Sequence, residues 1–194
     1  KEMQEKIKEL KQSIGNQSII YALELLLRAR QICCHPQCYI EGINKKVNLQ
    51  NKKLGKNAEL LNESNKKLEN WTASSTKLEF VKEQILLEPI NDKTLIFCHF
   101  IKEMDIYQQS LLLSGHTVFR IDGKTDMETR DAIVQQFKNI EPTSKTIMLV
   151  QIDMGGQGFN FQCANRIYIT SPTWNPAQQH QVIGRAHRTG QKKE

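Results

Sequence analysis

The chain has 194 residues, 39% of them hydrophobic and 25% charged, which is enough for one domain with its own core plus some extra helical material. No run approaches the roughly 20 apolar residues that span a bilayer, and the charged opening "KEMQEKIKELKQ" lacks the apolar stretch of a secretory signal. A net charge of +6 favours a polyanionic partner, and five cysteines without framework spacing read as reduced intracellular thiols rather than a disulfide scaffold.

The first residues form a mostly charged helical segment that Gly15 separates from the next. In residues 18–34, "SIIYALELLLRARQICC", Ile19, Leu23, Leu26, Arg30 and Cys33 recur at helical spacing with Leu27 beside them. This predicts a helix with a broad apolar face. The run "QICCHPQC" offers Cys33, Cys34, His35 and Cys38 to a zinc ion. Structural zinc sites pair such ligands with a second pair downstream, and no cysteine or histidine occurs between Tyr39 and Phe97. The cluster therefore reads as small residues packing where Pro36 stops the helix, with no metal. Residues 41–76 are rich in Asn and Lys, which predicts a solvated connector in which Ala58, Leu61, Leu68 and Trp71 could line a short helix. The chain thus divides into a helical segment (1–40), a connector (41–74) and a domain (75–194).

The character changes at Ser75. The run "STKLEFVKEQILLEP" opens on a serine cap, puts Leu78, Val81 and Ile85 on one side and ends before Pro89. Four short apolar runs follow, "TLIFCHF", "TVFRID", "TIMLVQI" and "RIYITSP", with the helix-like "KEMDIYQQSLLLSG" and "METRDAIVQQFKN" between the first three. Strands alternating with helices predict an α/β fold, a parallel sheet covered on both faces. Its functional residues are expected on loops beyond the carboxyl ends of the strands.

After "TIMLVQI" comes "DMGGQGFNF", where Gly155, Gly156 and Gly158 either let backbone amides approach a phosphate or serve a tight turn needing positive φ. Next, "TWNPAQQHQVIGRAHRTGQ" reads as a helix of about 14 residues, with Asn175 as cap, Pro176 first, Gln178 third and Gly190 as the stop. On it Gln181, Arg185 and Arg188 form one stripe, while Val182, Ile183 and Ala186 can face the sheet. No acidic residue lies within a turn of either arginine on this helix, so an external anion is the more economical partner than solvent alone. "DGKT" at 122–125 ends like a phosphate loop, but Val118 stands where the required glycine should be, so Gly123 reads as a turn. No Asp-Glu dipeptide occurs either. The arginines would then serve a nucleotide that other residues hold.

Together these residues resemble the C-terminal RecA-like lobe of superfamily 2 helicases, of the Swi/Snf chromatin-remodelling and DNA-repair type. "LIFCHF" is similar to motif IV, "RIDGKTDMETRDAIVQQF" to the Asp-Gly segment, "GGQGFNF" to motif V, "WNP" to the signature before the last helix and "QVIGRAHRTGQ" to motif VI, over roughly residues 75–194. "LLLRARQICCHP" resembles the helix that enters this lobe in a subgroup. The resemblance implies an ATP-driven motor on double-stranded DNA, with nucleosomes among its possible substrates. ATP and Mg2+ would be held mainly by an N-terminal RecA-like lobe of the same protein. It assigns Arg185 and Arg188 to the phosphates, Gln181, Gly156 and Gly158 to the nucleotide, and Gly155, Asn160 and Trp174 to DNA. It also implies a nuclear setting, or an intracellular viral replication site, and no membrane. Gln151, Ile152 and Asp153 stand where the family has Ser-Thr and a basic residue, so its hydroxyl contact to DNA does not carry over. Thr173 replaces a common acid. The family usually adds a strand after motif VI, which leads one to expect a fragment, inactive on its own. A non-catalytic DNA-binding scaffold with the same fold and an RNA helicase lobe are the alternatives; retained Arg185 and Arg188 oppose the first, "WNP" and "AHRTGQ" the second.

Overall fold

The computed structural model describes residues 16–54, 67–154 and 158–189, and the chain divides into two compact units, 1–71 and 72–194. In the first unit α1 (Asn16–Cys34) is followed after a single residue by α2 (Pro36–Leu54). Pro36 disfavours helical backbone at His35 and, having no N–H to satisfy, suits the first position of the next helix. The helix thus stops as predicted and another starts at once. Cys34, His35 and Cys38 are buried there, Cys33 is exposed, and the His35 Nδ1 accepts the Gln37 N–H at 3.1 Å.

Two expectations for this unit need correction. Composition predicts a solvated connector from residue 41, yet α2 is helical through Leu54. One apolar seam suffices: α1 and α2 pack together, burying Ile19, Cys34, Cys38 and Val47, and Lys46 pairs with Glu24 across them at 2.6 Å. Gly42 permits the approach, because a Cβ there would lie 2.3 Å from the Arg28 guanidinium. Of the short helix predicted through Ala58, Leu61, Leu68 and Trp71, residues 67–71 are non-helical, and Ala58 and Leu61 lie outside the described residues. Side-chain amides of α2 take up this backbone instead, Asn44 exchanging two hydrogen bonds with Leu68 (2.8 and 2.9 Å) and Gln37 accepting the Trp71 N–H. On α1 only Ile19 of the predicted apolar face is buried, while Leu23, Leu26 and Leu27 remain exposed. A single neighbouring helix covers only one stripe of a helix surface.

The second unit runs α3 (Thr76–Leu87), β1 (Lys93–Cys98), α4 (Ile101–Leu113), β2 (Thr117–Ile121), α5 (Met127–Asn139), β3 (Thr146–Gln151), β4 (Arg166–Ile169) and α6 (Pro176–Ala186). The four strands form one parallel sheet in the order β2-β3-β1-β4. Because successive side chains of a strand point to opposite faces, β1 and β3 feed two cores. Leu95, Phe97, Met148 and Val150 pack with Val134 and Phe137 of α5 and Val182 and Ala186 of α6. Ile96, Cys98, Ile147 and Leu149 pack with Leu78, Val81 and Ile85 of α3 and Met104, Tyr107 and Leu111 of α4. Each large side chain so buried contributes about 1.5–3 kcal/mol. This is the α/β sheet covered on both faces that the sequence predicts, and Ser75 caps α3 as expected.

The start of α4 has no side-chain cap of its own. Glu103 supplies the acceptor instead, its carboxylate taking the N–H groups of His99 (3.2 Å) and Phe100 (3.5 Å) from a site only 1% exposed. Burial pushes this carboxyl above its ordinary range, and the Thr170 hydroxyl, the two backbone donors and the charge of Lys77 only partly oppose it. The folded state therefore holds the proton over a window in which the unfolded chain has lost it, so Glu103 reduces stability as pH rises through that window. Glu103→Gln keeps the acceptor and is expected to flatten this pH dependence, whereas Glu103→Ala strands both donors and should cost about 1–3 kcal/mol. Urea denaturation of both variants from acidic to neutral pH checks this.

Candidate functional site

All four strands point the same way, so the segments leaving their carboxyl ends lie along one edge. Adjacent strands β1 and β3 send their connections to opposite faces, the arrangement outside which ligands of open α/β sheets bind. After β2, residues 122–125 form a turn in which Asp122 accepts the Lys124 N–H at 2.9 Å and the Thr125 N–H bonds the Asp122 carbonyl. Arg120 donates to Asp122 (3.0 Å) and reaches Asp105 (2.7 Å) and Gln108 (2.9 Å) on α4. Burial alone would raise the Asp122 carboxyl, but the Lys124 N–H and Arg120 outweigh it and hold it below its ordinary value. Asp126 then caps α5, so this segment is a turn, as Gly123 predicts, and not a phosphate loop.

The segment leaving β3 is tied to its neighbours on both sides. Gln151 accepts the Gly123 N–H through Oε1 at 2.9 Å, linking it to the turn after β2. The chain then makes one 3-10 turn, Ile152–Met154, with Ile152 and Met154 buried and Asp153 exposed. Asp153 accepts the side-chain amide of Gln178 at 2.8 Å, linking the segment to the first turn of α6. Gly155 and Gly156 lie outside the described residues. Gly158 has φ +74°, the left-handed conformation, and a Cβ built there meets nothing within 4 Å. Asn160 is exposed, with its side chain turned onto Gln162, accepting that residue's N–H at 3.1 Å.

α6 begins as the sequence predicts, Asn175 accepting the Ala177 N–H and Pro176 occupying the first turn. Gln178 does not complete a capping box; it reaches Asp153. The helix also ends earlier than expected. Ala186 is its last residue and His187 its cap, so Arg188 lies beyond the helix and only Gln181 and Arg185 share the predicted stripe. The cause is a competing donor: the Phe161 N–H takes the Arg185 carbonyl at 3.0 Å, and the Gln162 side chain takes the Thr189 carbonyl at 2.6 Å. Val182 and Ala186 are buried as expected, while Ile183 stays 38% exposed. Arg185 is half-buried, and Gln181, Arg188 and Trp174 are exposed.

The structure thus sets Gly158 and Asn160 in the same segment that grips the arginine-bearing end of α6. Sequence reasoning missed Gln151, Asp153 and Gln162 as the residues that tie these parts together. Their one available signal was that Gln151 and Asp153 break the pattern of the family that the chain resembles. Among the described residues no group of three His, Cys, Asp or Glu side chains could hold a metal ion, and no helix is long and apolar enough to cross a membrane.

Comparison with known proteins adds to this geometry. Residues 76–190 match the family model described as helicase conserved C-terminal domain. The chain is 35% identical over 139 residues to the human helicase-like transcription factor, covering 70% of this chain and 14% of that protein. It is 33% identical over 128 residues to DNA repair protein RAD5B of Arabidopsis thaliana, covering 65% of this chain and 10% of the relative. The chain therefore spans a small part of these curated relatives. The solved C-terminal part of the Fun30 ATPase domain superposes with a TM-score of 0.59 at 26% identity, over 77% of this chain and 47% of that one.

The backbone at Gly158 yields a test that separates conformation from space. Gly158→Ala meets no steric neighbour, yet forces a Cβ into the left-handed region at about 1–2 kcal/mol, while Gly158→Asn should cost less because Asn tolerates that region. Urea denaturation midpoints of the two variants measure the difference.

Proposed function

This chain belongs to the helicase conserved C-terminal domain family, as a RecA-like lobe of the SWI/SNF type, and from that premise we propose that it is the second motor lobe of an ATP-dependent translocase on double-stranded DNA. The observation that carries the proposal is the bond from the Phe161 N–H to the Arg185 carbonyl, which seats the arginine-bearing helix end against the segment that carries Gly158. Half-buried Arg185 offers a planar donor fork at reduced hydration cost, suited to phosphate oxygens. Arg188, beyond the helix end, adds a second cation. Gly158 leaves its backbone open to close approach, as a phosphate contact requires. ATP, once bound, supplies a phosphoryl group whose oxygens gain charge as it transfers. The arginines' part is to stabilise that charge, Gln181 lies on the same face as Arg185, and Gly156 would approach the nucleotide with Gly158.

On this reading ATP and Mg2+ are held mainly by an N-terminal RecA-like lobe, and Gly155, Asn160 and Trp174 face the DNA. Trp174 is exposed. The side chain of Asn160 would have to leave Gln162 to make such a contact. The names of the relatives, a transcription factor and a DNA repair protein, support a nuclear setting, with nucleosomal DNA among the candidate substrates.

Two results are expected. The 194-residue chain alone should show no DNA-stimulated ATP hydrolysis and should bind duplex DNA weakly, with affinity falling steeply as salt rises, because its contacts are to phosphates. Fluorescence anisotropy across a salt series checks this, and salt-independent, sequence-selective binding would point to a base-reading module. In a protein carrying both lobes, Arg185→Ala and Arg188→Ala should each lower turnover at saturating DNA, by a factor on the order of 10³ to 10⁵. Lysine should rescue poorly, since a point charge does not reproduce the two-pronged contact. Near-normal turnover in both alanine variants, at unchanged melting temperature, would sink the finger assignment.

A further inference from the structure

The segment that leaves β3 holds α6 at both ends. At the far end the Phe161 N–H and the Gln162 side chain take the carbonyls of Arg185 and Thr189, and Val182 and Ala186 anchor the helix in the core. At the near end the caps are local to the helix, Asn175 to Ala177 and Thr173 to Asn175. A side-chain bond there reaches the segment leaving β3, from the Gln178 amide to Asp153 at 2.8 Å. Eleven helical residues separate the ends by about 16 Å, so a small tilt of the first turn moves the last. We propose that Asp153 is a positioning residue: by holding the Gln178 amide, it pins the first turn of α6 to the segment leaving β3 and so sets where Arg185 stands.

A carboxylate suits this task. It is a stronger acceptor than a neutral oxygen and lies by the positive end of the helix. It also sits in a turn whose two flanking residues, Ile152 and Met154, are buried, so its own position is set by the core. Gln151 at the end of β3 fixes the same turn from the other side through Gly123. The segment is thereby held to the turn after β2 as well as to α6, and a displacement of its glycines would be passed on to the arginine.

The functional consequence rests on Arg185 facing nucleotide; the contact itself does not. Nuclear magnetic resonance on the 194-residue chain reads the contact through exchange of the Gln178 side-chain amide protons. Asp153→Ala should speed that exchange about threefold to tenfold, and Asp153→Asn, which keeps a carbonyl acceptor, should stay within about twofold. In a protein with both lobes, Asp153→Ala should lower kcat for ATP hydrolysis by a similar factor while leaving KM for ATP within about twofold, and Asp153→Asn should restore most of it. Should Asp153→Ala fold poorly, Gln178→Ala removes the same bond from the other side. Unchanged Gln178 exchange overturns the proposal. So does an unchanged kcat in both alanine variants where Arg185→Ala abolishes turnover. If Arg185→Ala itself leaves turnover intact, the finger assignment fails separately, and the amide exchange alone decides whether Asp153 pins the helix.

Discussion

The parallel ladder between β1 and β3 is the constraint on which the rest of the second unit depends. Six residue pairs, from Lys93 with Thr146 to Cys98 with Gln151, hold two strands that are buried almost throughout. A parallel pair cannot be joined by a tight turn, so the chain must cross a face of the sheet to return. Those crossings place α4 and α5 on opposite faces, and alternate side chains of the two strands supply both cores. They also bring the four carboxyl ends to one edge, from which the segment that carries Gly158 leaves β3.

At that edge polar bonds join the segments to one another in addition to the packing of Ile152 and Met154 in the core. Arg120 ties β2 to α4, Gln151 ties the segment after β3 to the turn after β2, and Asp153 ties it to α6. Individually such part-exposed contacts are worth little. Their value is geometric, since charge stabilisation of a reacting group depends on donors already standing where the charge will develop. The early end of α6 follows the same logic. A backbone donor from Phe161 captures the Arg185 carbonyl where the helix ends, leaving Arg185 on the helix and Arg188 beyond it.

The first unit shows how composition misleads. Asn, Gln and Lys lower the mean hydropathy of residues 36–54 enough to resemble a connector, yet a helix needs only one apolar seam, here ending in Cys38 and Val47 against α1. The same polar residues then act as structure. Asn44 and Gln37 satisfy the backbone of residues 67–71, which compositional reasoning counts as solvation.

The sequence by itself determined the four strands, the helices between them, the parallel sheet buried on both faces, the caps at Ser75 and Asn175 and the family, because periodicity, capping chemistry and motif spacing are local properties. It placed Gly158, Asn160 and Arg185 in neighbouring segments but not in contact. The end of α6, the turning of Asn160 onto Gln162, the grip of Asp153 on Gln178 and the helix at 36–54 were decided only by the tertiary structure. Each depends on a donor, acceptor or apolar partner supplied from another part of the chain, and the pattern within a single segment carries no record of which distant group will reach it first.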